Sequence, residues 1–352
     1  MKNRLCILLL HNKKYSGLYD YAKIFESANS NSTITFLSDS YPGISQWKLN
    51  SCFFYYKPRI MVKLKSLADQ YDLVHICDNP VYSSKIVKLI EKLHWKGIFT
   101  IHDPEGHLPG TIQDLLKRKI KLHYQNKLVR ELQNNKILRL HLHYEYMPIT
   151  KKTGNVTILP HPLYHDSVGV DDNPPTLPLV ISFLGRIEYY KGIDIFMEIL
   201  KELDDMIPKY SVKAIIGGFG RIPDHKPYEN IIYVEENRYL EEDKFEELLN
   251  ESHIVLLPYR DTSQSGVLMK ALTNSIPVIV SDIPSLNVFV EHGKTGWSFA
   301  NDDLKSWIDA IIYFIDNIND LDEISRNIDQ FKKSFSPLNI SKQLYGSVIE
   351  HN

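Results

Sequence analysis

Residues 181–192 read ISFLGRIEYYKG, and residues 254–284 read IVLLPYRDTSQSGVLMKALTNSIPVIVSDIP. Each begins as a short apolar run, breaks at a Gly or a Pro-Tyr step, and passes into a helix-length amphipathic pattern. In the first, a buried strand ends at Leu184, Gly185 allows an unusual turn, Arg186 emerges at the strand's carboxyl end, and Lys191 and Gly192 open the next helix. Arg gives a planar fork for phosphate oxygens and Lys a mobile point charge, so two cations at one strand end suit a diphosphate. In the second, the polar loop Asp261–Ser265 leads into a helix opening near Gly266, with Ser263 or Ser265 as its cap. The first free N–H groups of that helix, on Gly266, Val267 and Leu268, make an anion site, and Gly266 allows close approach to the backbone.

The same strand-then-helix unit extends in both directions. Candidate strands are 4–10, 33–37, 73–77, 97–102, 138–142 and 156–159, then 179–184, 212–217, 231–234, 254–257, 277–280 and 297–299. Helical patterns such as 191–206, 241–251 and 265–274 lie between them. This alternation predicts parallel sheets covered by helices on both faces. Two successive sets, in a chain long enough for about two domains, predict two Rossmann-like doubly wound parallel-sheet domains facing across a cleft. The polar, proline-rich stretch DSVGVDDNPPTLP, 166–178, reads as the break. The expected division is a first domain over 1–168, a linker over 169–178, a second domain over 179–335, and a separate helix over 336–352 that packs back towards the first domain. Ligands of such sheets bind beyond the carboxyl ends of the strands.

Composition narrows the class. Apolar residues make up 43% and charged residues 24%, as in a soluble globular protein. Three cysteines, Cys6, Cys52 and Cys77, are too few for a disulfide framework and include no C-x-x-C pair. The apolar run Leu5–Leu10 reads as a first strand rather than a leader, and no stretch approaches the ~20 apolar residues of a membrane span. The expected location is therefore cytoplasmic. The net charge of −2 hides an asymmetry: residues 1–170 hold 24 Lys+Arg against 13 Asp+Glu, and the remainder 17 against 30. A basic first half attracts anions such as a phosphate-bearing substrate or an anionic membrane surface. The basic segments KPRIMVKLKSL, 57–67, and 111–139, where Lys117, Arg118, Lys119, Lys121, Lys127 and Arg130 interleave with Leu115, Leu116, Ile120, Leu122 and Leu128, suit peripheral contact with the inner face of a membrane. No nucleic-acid motif accompanies the charge.

GRIEYYKG, IIGGFG, LLPYRDTSQSGVL, PVIVSDIP and VEHGKTGWSF, in this order and spacing over about 179–300, resemble the retaining glycosyltransferases of family 4, which have the GT-B fold. The resemblance implies that Arg186 and Lys191 bind the diphosphate of a nucleotide-sugar donor. It implies that Ser265, Gly266, Val267 and Leu268 hold its phosphates and sugar. The family usually carries two glutamates eight positions apart; the matching positions here are Thr262 and Lys270. Lys270 is then either a phosphate contact or a solvated helix residue.

In the first half, IFTIHDPEGHLPG, 98–110, ends a strand at His102 and Asp103. A His at a strand's carboxyl end suits a proton handler. The family commonly has a His there, which implies catalytic roles for His102 and Asp103 and an acceptor-side role for His107. His143, ending the strand of HLHYEYMP, matches a second acceptor-side position, and Gly17, between the first strand and first helix, matches a donor-phosphate contact. The expected activity is transfer of a sugar from a nucleotide-diphosphate donor to a hydroxyl of a glycan, lipid-linked, in cell-surface polysaccharide synthesis. By the same resemblance it proceeds with retention and without a cofactor or obligatory metal. Two alternatives remain open: a nucleotide-sugar epimerase on the same fold, and a non-catalytic member that binds nucleotide or glycan.

Overall fold

A computed structural model describes residues 4–9, 17–36, 57–77, 80–104, 112–163 and 175–349. The chain forms two compact units, Met1–Pro162 with Pro337–Asn352, and Leu163–Ser336. The first contains β1 (Leu5–Leu9), α1 (Gly17–Ala28), β2 (Ser32–Phe36), α2 (Lys57–Gln70), β3 (Leu73–Cys77), α3 (Pro80–Lys92), β4 (Gly97–Ile101), α4 (Ile112–Leu132), β5 (Leu138–Leu142), α5 (Met147–Thr150) and β6 (Val156–Ile158). The second contains β7 (Leu179–Leu184), a 3-10 turn (Tyr189–Lys191), α6 (Ile193–Asp204), β8 (Val212–Gly217), β9 (Ile231–Glu236), α7 (Glu242–Glu251), β10 (Ile254–Leu257), α8 (Gly266–Thr273), β11 (Val278–Ser281), α9 (Pro284–Asn287), β12 (Gly296–Phe299), α10 (Leu304–Asp316) and α11 (Asp320–Phe331). The last helix, α12 (Pro337–Ile349), belongs to the first unit.

The two sheets run β2-β1-β3-β4-β5-β6 and β12-β11-β10-β7-β8-β9, with parallel pairings throughout. All twelve apolar runs expected to be strands are strands, with ends within two residues of those expected. LCILL, LVHIC, GIFTI and LVISFL are buried along their whole length, which is why they read as continuous apolar runs rather than alternating ones.

In the second sheet β7, β8 and β9 progress one way, and the chain then returns to place β10 on the other side of β7. The strand order reverses between β7 and β10, and an open α/β sheet binds ligands at the carboxyl ends of such a pair. The first sheet reverses between β1 and β3.

The divide between units falls at Pro162 and Leu163, earlier than the expected 168. Leu163 is buried in the second unit's core and its N–H donates to Phe335 O (3.0 Å). Of the stretch 169–178, residues 169–174 lie outside the described residues, as do Cys52 and His107. Helix α12 starts at Pro337, which fits the first helical turn because it needs no N–H there. Ile340, Leu344, Tyr345 and Val348 line one face of it and share a core with Leu5, Ile7, Leu9, Tyr21, Phe25 and Leu73.

Candidate active site

The switch point of the second unit carries the expected cations. Gly185 ends β7 and donates to Gly217 O (2.8 Å). Gly218, φ +149°, lies so close to it that a Cβ there would stand 1.8 Å from Gly185 O. The glycines of IIGGFG thus let two strand-end turns touch. Arg186 is largely exposed, and its Nη1 lies 3.0 Å from Glu188 Oε1. Such an exposed pair is worth at most about 1 kcal/mol, so a ligand can displace it.

Lys191 is held differently. Its Nζ sits 5.3 Å from the Tyr259 ring centroid and 3.1 Å from where a Cβ on Gly185 would stand. No side-chain hydrogen bond or ion pair reaches it among the described residues. Burial lowers its pKa below the ordinary lysine value, with Arg186 acting in the same direction. Tyr190 and Glu188 favour its charge without outweighing burial, so a cation partly taken out of water stays costly, and an incoming anion reduces the cost. Gly192, φ +69°, makes the turn possible: a Cβ there would stand 1.9 Å from Pro258 O, so the Lys191 turn rests directly on the segment after β10.

That segment leads to α8. Ser265 is buried and caps the helix, its Oγ accepting from Leu268 N (3.2 Å). The Leu268 N–H is thus already engaged by the expected cap. The N–H groups of Gly266 and Val267 have no acceptor within the helix. Val267 and Leu268 bury their side chains, so only backbone is offered here. Thr262 is buried and shapes the loop, donating to Gln264 O (2.6 Å) and receiving Ser285 at its own carbonyl.

Lys270, one turn further on, meets Glu242 and Glu246 of α7 and lies 5.2 Å from the Phe245 ring. Burial works against its charge, but the two carboxylates more than offset this and raise its pKa. It is a paired residue rather than a solvated one. Asp194, on the first turn of α6, pairs with Arg260. Arg260 sits in the quoted loop, but nothing local in PYRD shows that its partner lies on α6.

In the first unit five histidines meet near the carboxyl ends of the strands. His102 follows β4 and His143 follows β5; His143 Nε2 and His102 Nδ1 are 3.2 Å apart. The Tyr21 ring of α1 stands edge-on at 4.4 Å from His102 and 5.4 Å from His143, and tilted at 4.9 Å from His161. Burial, reinforced by neighbouring histidines, holds His102 and His143 well below the ordinary histidine range. Both are neutral at pH 7, so one nitrogen of the pair donates and the other accepts.

His75 and His141, which sequence reading missed, form a second chain. His141 Nε2 bonds Leu159 O (3.0 Å), which only accepts, so that nitrogen carries the proton. Its Nδ1 then accepts from Thr100 (2.9 Å), Thr100 accepts from His75 Nε2 (2.7 Å), and His75 Nδ1 accepts from the Tyr345 hydroxyl (2.8 Å). Asp103 receives Lys121 of α4, so this lysine turns inward rather than joining a surface stripe. Gly17 opens α1, and the loop before it lies outside the described residues. Among the described residues no group of three or more His, Cys, Asp or Glu has a metal-binding arrangement, and no helix is long and apolar enough to cross a membrane.

Comparison with known proteins agrees with this architecture. A family model described as glycosyl transferases group 1 matches residues 178–317. A GDP-mannose:glycolipid 4-beta-D-mannosyltransferase of Xanthomonas campestris pv. campestris is 22% identical over 291 residues, covering 78% of this chain and 76% of that one. Among solved structures, a sucrose-phosphate synthase from Thermosynechococcus elongatus superposes with a TM-score of 0.68 at 13% identity, and Anabaena HepE in complex with UDP with 0.65 at 11%. Each covers 99% of this chain and 100% of the other. The chain has the GT-B fold of two Rossmann-like domains and is a glycosyltransferase.

Proposed function

We propose that the second unit binds a nucleotide-diphosphate sugar at the β7/β10 switch point and that the sugar passes, with retention, to a hydroxyl of a lipid-linked glycan. The observation that carries this reading is Lys191, a half-buried cation with no ion pair of its own among the described residues, set at a strand end where Val267 of the α8 N-terminus also packs against Gly185. Arg186, Lys191 and the N–H groups of Gly266 and Val267 take up charge as the diphosphate departs, so the reaction needs no obligatory metal. Retention follows attack on the face the nucleotide leaves, with the departing phosphate as base. The acceptor belongs to the first unit, where His102, held by His143, and Asp103 orient its hydroxyl for that proton transfer. The mannosyltransferase relative is named for a GDP-sugar and a glycolipid, and HepE was solved with UDP, which supports a nucleoside diphosphate donor while leaving the base open. The work is done from the cytoplasm, at the inner membrane face, in cell-surface polysaccharide synthesis.

A thermal-shift screen against UDP, GDP, ADP and their sugars tests the donor site. A ligand at 100 times its dissociation constant stabilises by about 2.7 kcal/mol. We expect one nucleotide to stabilise the protein, and Arg186→Ala to lose turnover with the fold intact. Full turnover in that variant would overturn the assignment, and product analysis without acceptor separates transfer from epimerisation.

A further inference from the structure

Lys191 and the α8 N-terminus come from segments far apart in sequence, yet one side chain ties both down. Arg260 lies between them in the loop after β10. Its Nη1 donates to Asp194 Oδ1 (2.7 Å) and its Nη2 to Asp194 Oδ2 (2.6 Å), a two-pronged pair with the first turn of α6. The same Nη1 donates to Tyr189 O (3.0 Å), and the guanidinium covers the Tyr189 ring at 4.4 Å. Its backbone N–H donates to Tyr190 O (2.7 Å). Arg260 therefore grips the residues on both sides of Lys191: Tyr189 and Tyr190 before it, Asp194 after it. With Gly192 resting on Pro258 O, these contacts leave the turn little freedom. Lys191 itself has no ion pair to hold it among the described residues, so its position is set by its backbone and by the Tyr259 ring beneath it.

We infer that Arg260 is a positioning residue for donor binding: it fixes the Lys191 turn against the loop that leads to α8, so that the ammonium and the helix N-terminus act as one diphosphate site. This rests on the donor reading above. The Asp194 pair and the ring contact use the planar fork of Arg, which Lys does not reproduce. The Asp194 carboxyl, held below the usual carboxylate range chiefly by its hydrogen bonds from Arg260, stays charged through the physiological pH range, so the clamp does not loosen there.

The test is calorimetric titration of UDP, GDP and ADP into the wild type, Arg260→Lys, Lys191→Ala and the double variant, with circular dichroism as the check on folding. Arg260→Lys should weaken the bound diphosphate about fivefold or more when alone, and less than about twofold when Lys191 is already alanine, since coupled residues are not additive. Asp194→Asn, which keeps the shape and removes the charge, should weaken binding in the same way and show the same dependence on Lys191. Wild-type affinity in Arg260→Lys and Asp194→Asn, with Lys191→Ala impaired, would overturn the clamp and leave the donor reading standing. Equal losses with and without Lys191 would do the same, because Arg260 would then act by another route. No nucleotide binding to the wild type, or none that depends on Lys191, would overturn both.

Discussion

The hydroxyl of Tyr345 donates to Nδ1 of His75 across 2.8 Å, so a helix at the far end of the chain completes the hydrogen bonding of a strand near its beginning. Both side chains are buried. Tyr345→Phe keeps the packing and leaves a buried acceptor unpaired. We expect a loss of about 1–3 kcal/mol in urea-induced unfolding, the cost of one unsatisfied buried group. His75→Phe in the same background should recover part of that loss. An unchanged unfolding midpoint in Tyr345→Phe would show that the bond carries no stability.

Stability should also fall on the acid side of neutrality. Burial depresses the pKa of His141 and of His161 to about 4, from an ordinary value near 6.5. Between those two values the unfolded chain binds more protons than the folded one, so stability is full above about 6.5 and declines as pH drops towards 4. Each such histidine removes up to about 1.4 kcal/mol per pH unit in that window. Urea unfolding at pH 7.5, 6 and 5 measures the slope, and His141→Gln should flatten it. A pH-independent midpoint would mean that these rings are not held neutral.

Lys191→Met separates the two sides of a half-buried cation that has no ion pair among the described residues. Removing it relieves the desolvation penalty, so the free protein should be as stable as wild type or more so. The same change should sharply reduce stabilisation by a nucleoside diphosphate. A thermal scan with and without nucleotide reads both effects. A less stable free protein would show that the lysine is structural, and an undiminished nucleotide shift would place the donor elsewhere.

Lys270 gives the opposite pattern. Its ammonium joins Glu242 and Glu246 on α7. Lys270→Ala leaves these two carboxylates one helical turn apart without their shared cation, and we expect a loss of about 1 kcal/mol, given that Glu242 is exposed. Nucleotide affinity should stay within about twofold, as expected for a distant, independent site. A large loss of affinity with unchanged stability would return Lys270 to the donor site.

These contrasts mark what a single sequence displays. Strands buried on both faces are written as unbroken apolar runs, so the sheets were legible from LCILL, LVHIC, LVISFL and their counterparts. Arg186 and Lys191 were legible because both lie within a few residues of a strand end. Arg260 was not, because its role depends on Asp194, 66 residues earlier in the chain. His75 and His141 were not, because each sits inside an apolar run and only strand register brings His141 opposite Thr100. The inward turn of Lys121 to Asp103 was hidden for the same reason: a charge on a helix reads as solvated until its partner is placed.

The surface of α4 supports the last prediction. Its second half packs inward through Gln125, Leu128, Val129 and Leu132, while Leu115, Leu116 and Ile120 in the first half are 41%, 59% and 46% exposed. Lys119 is exposed among these three, and Lys127 and Arg130 are exposed further along. Lone exposed leucines are ordinary, but three within six positions beside cations make a face suited to anionic lipid, where each Lys or Arg near the surface adds about 1 kcal/mol. We expect the protein to co-sediment with phosphatidylglycerol vesicles and not with phosphatidylcholine vesicles, and to be released as salt is raised. Lys119→Glu should weaken that binding about fivefold or more, since it removes one attraction and adds one repulsion. Leu116→Ser with Ile120→Ser should weaken it through lost apolar insertion and leave its salt dependence unchanged. Because all three positions lie outside the core, nucleotide-induced stabilisation should match wild type in every variant. Retained vesicle binding in both variants would remove α4 as the contact and leave the basic charge of the first unit to the acceptor.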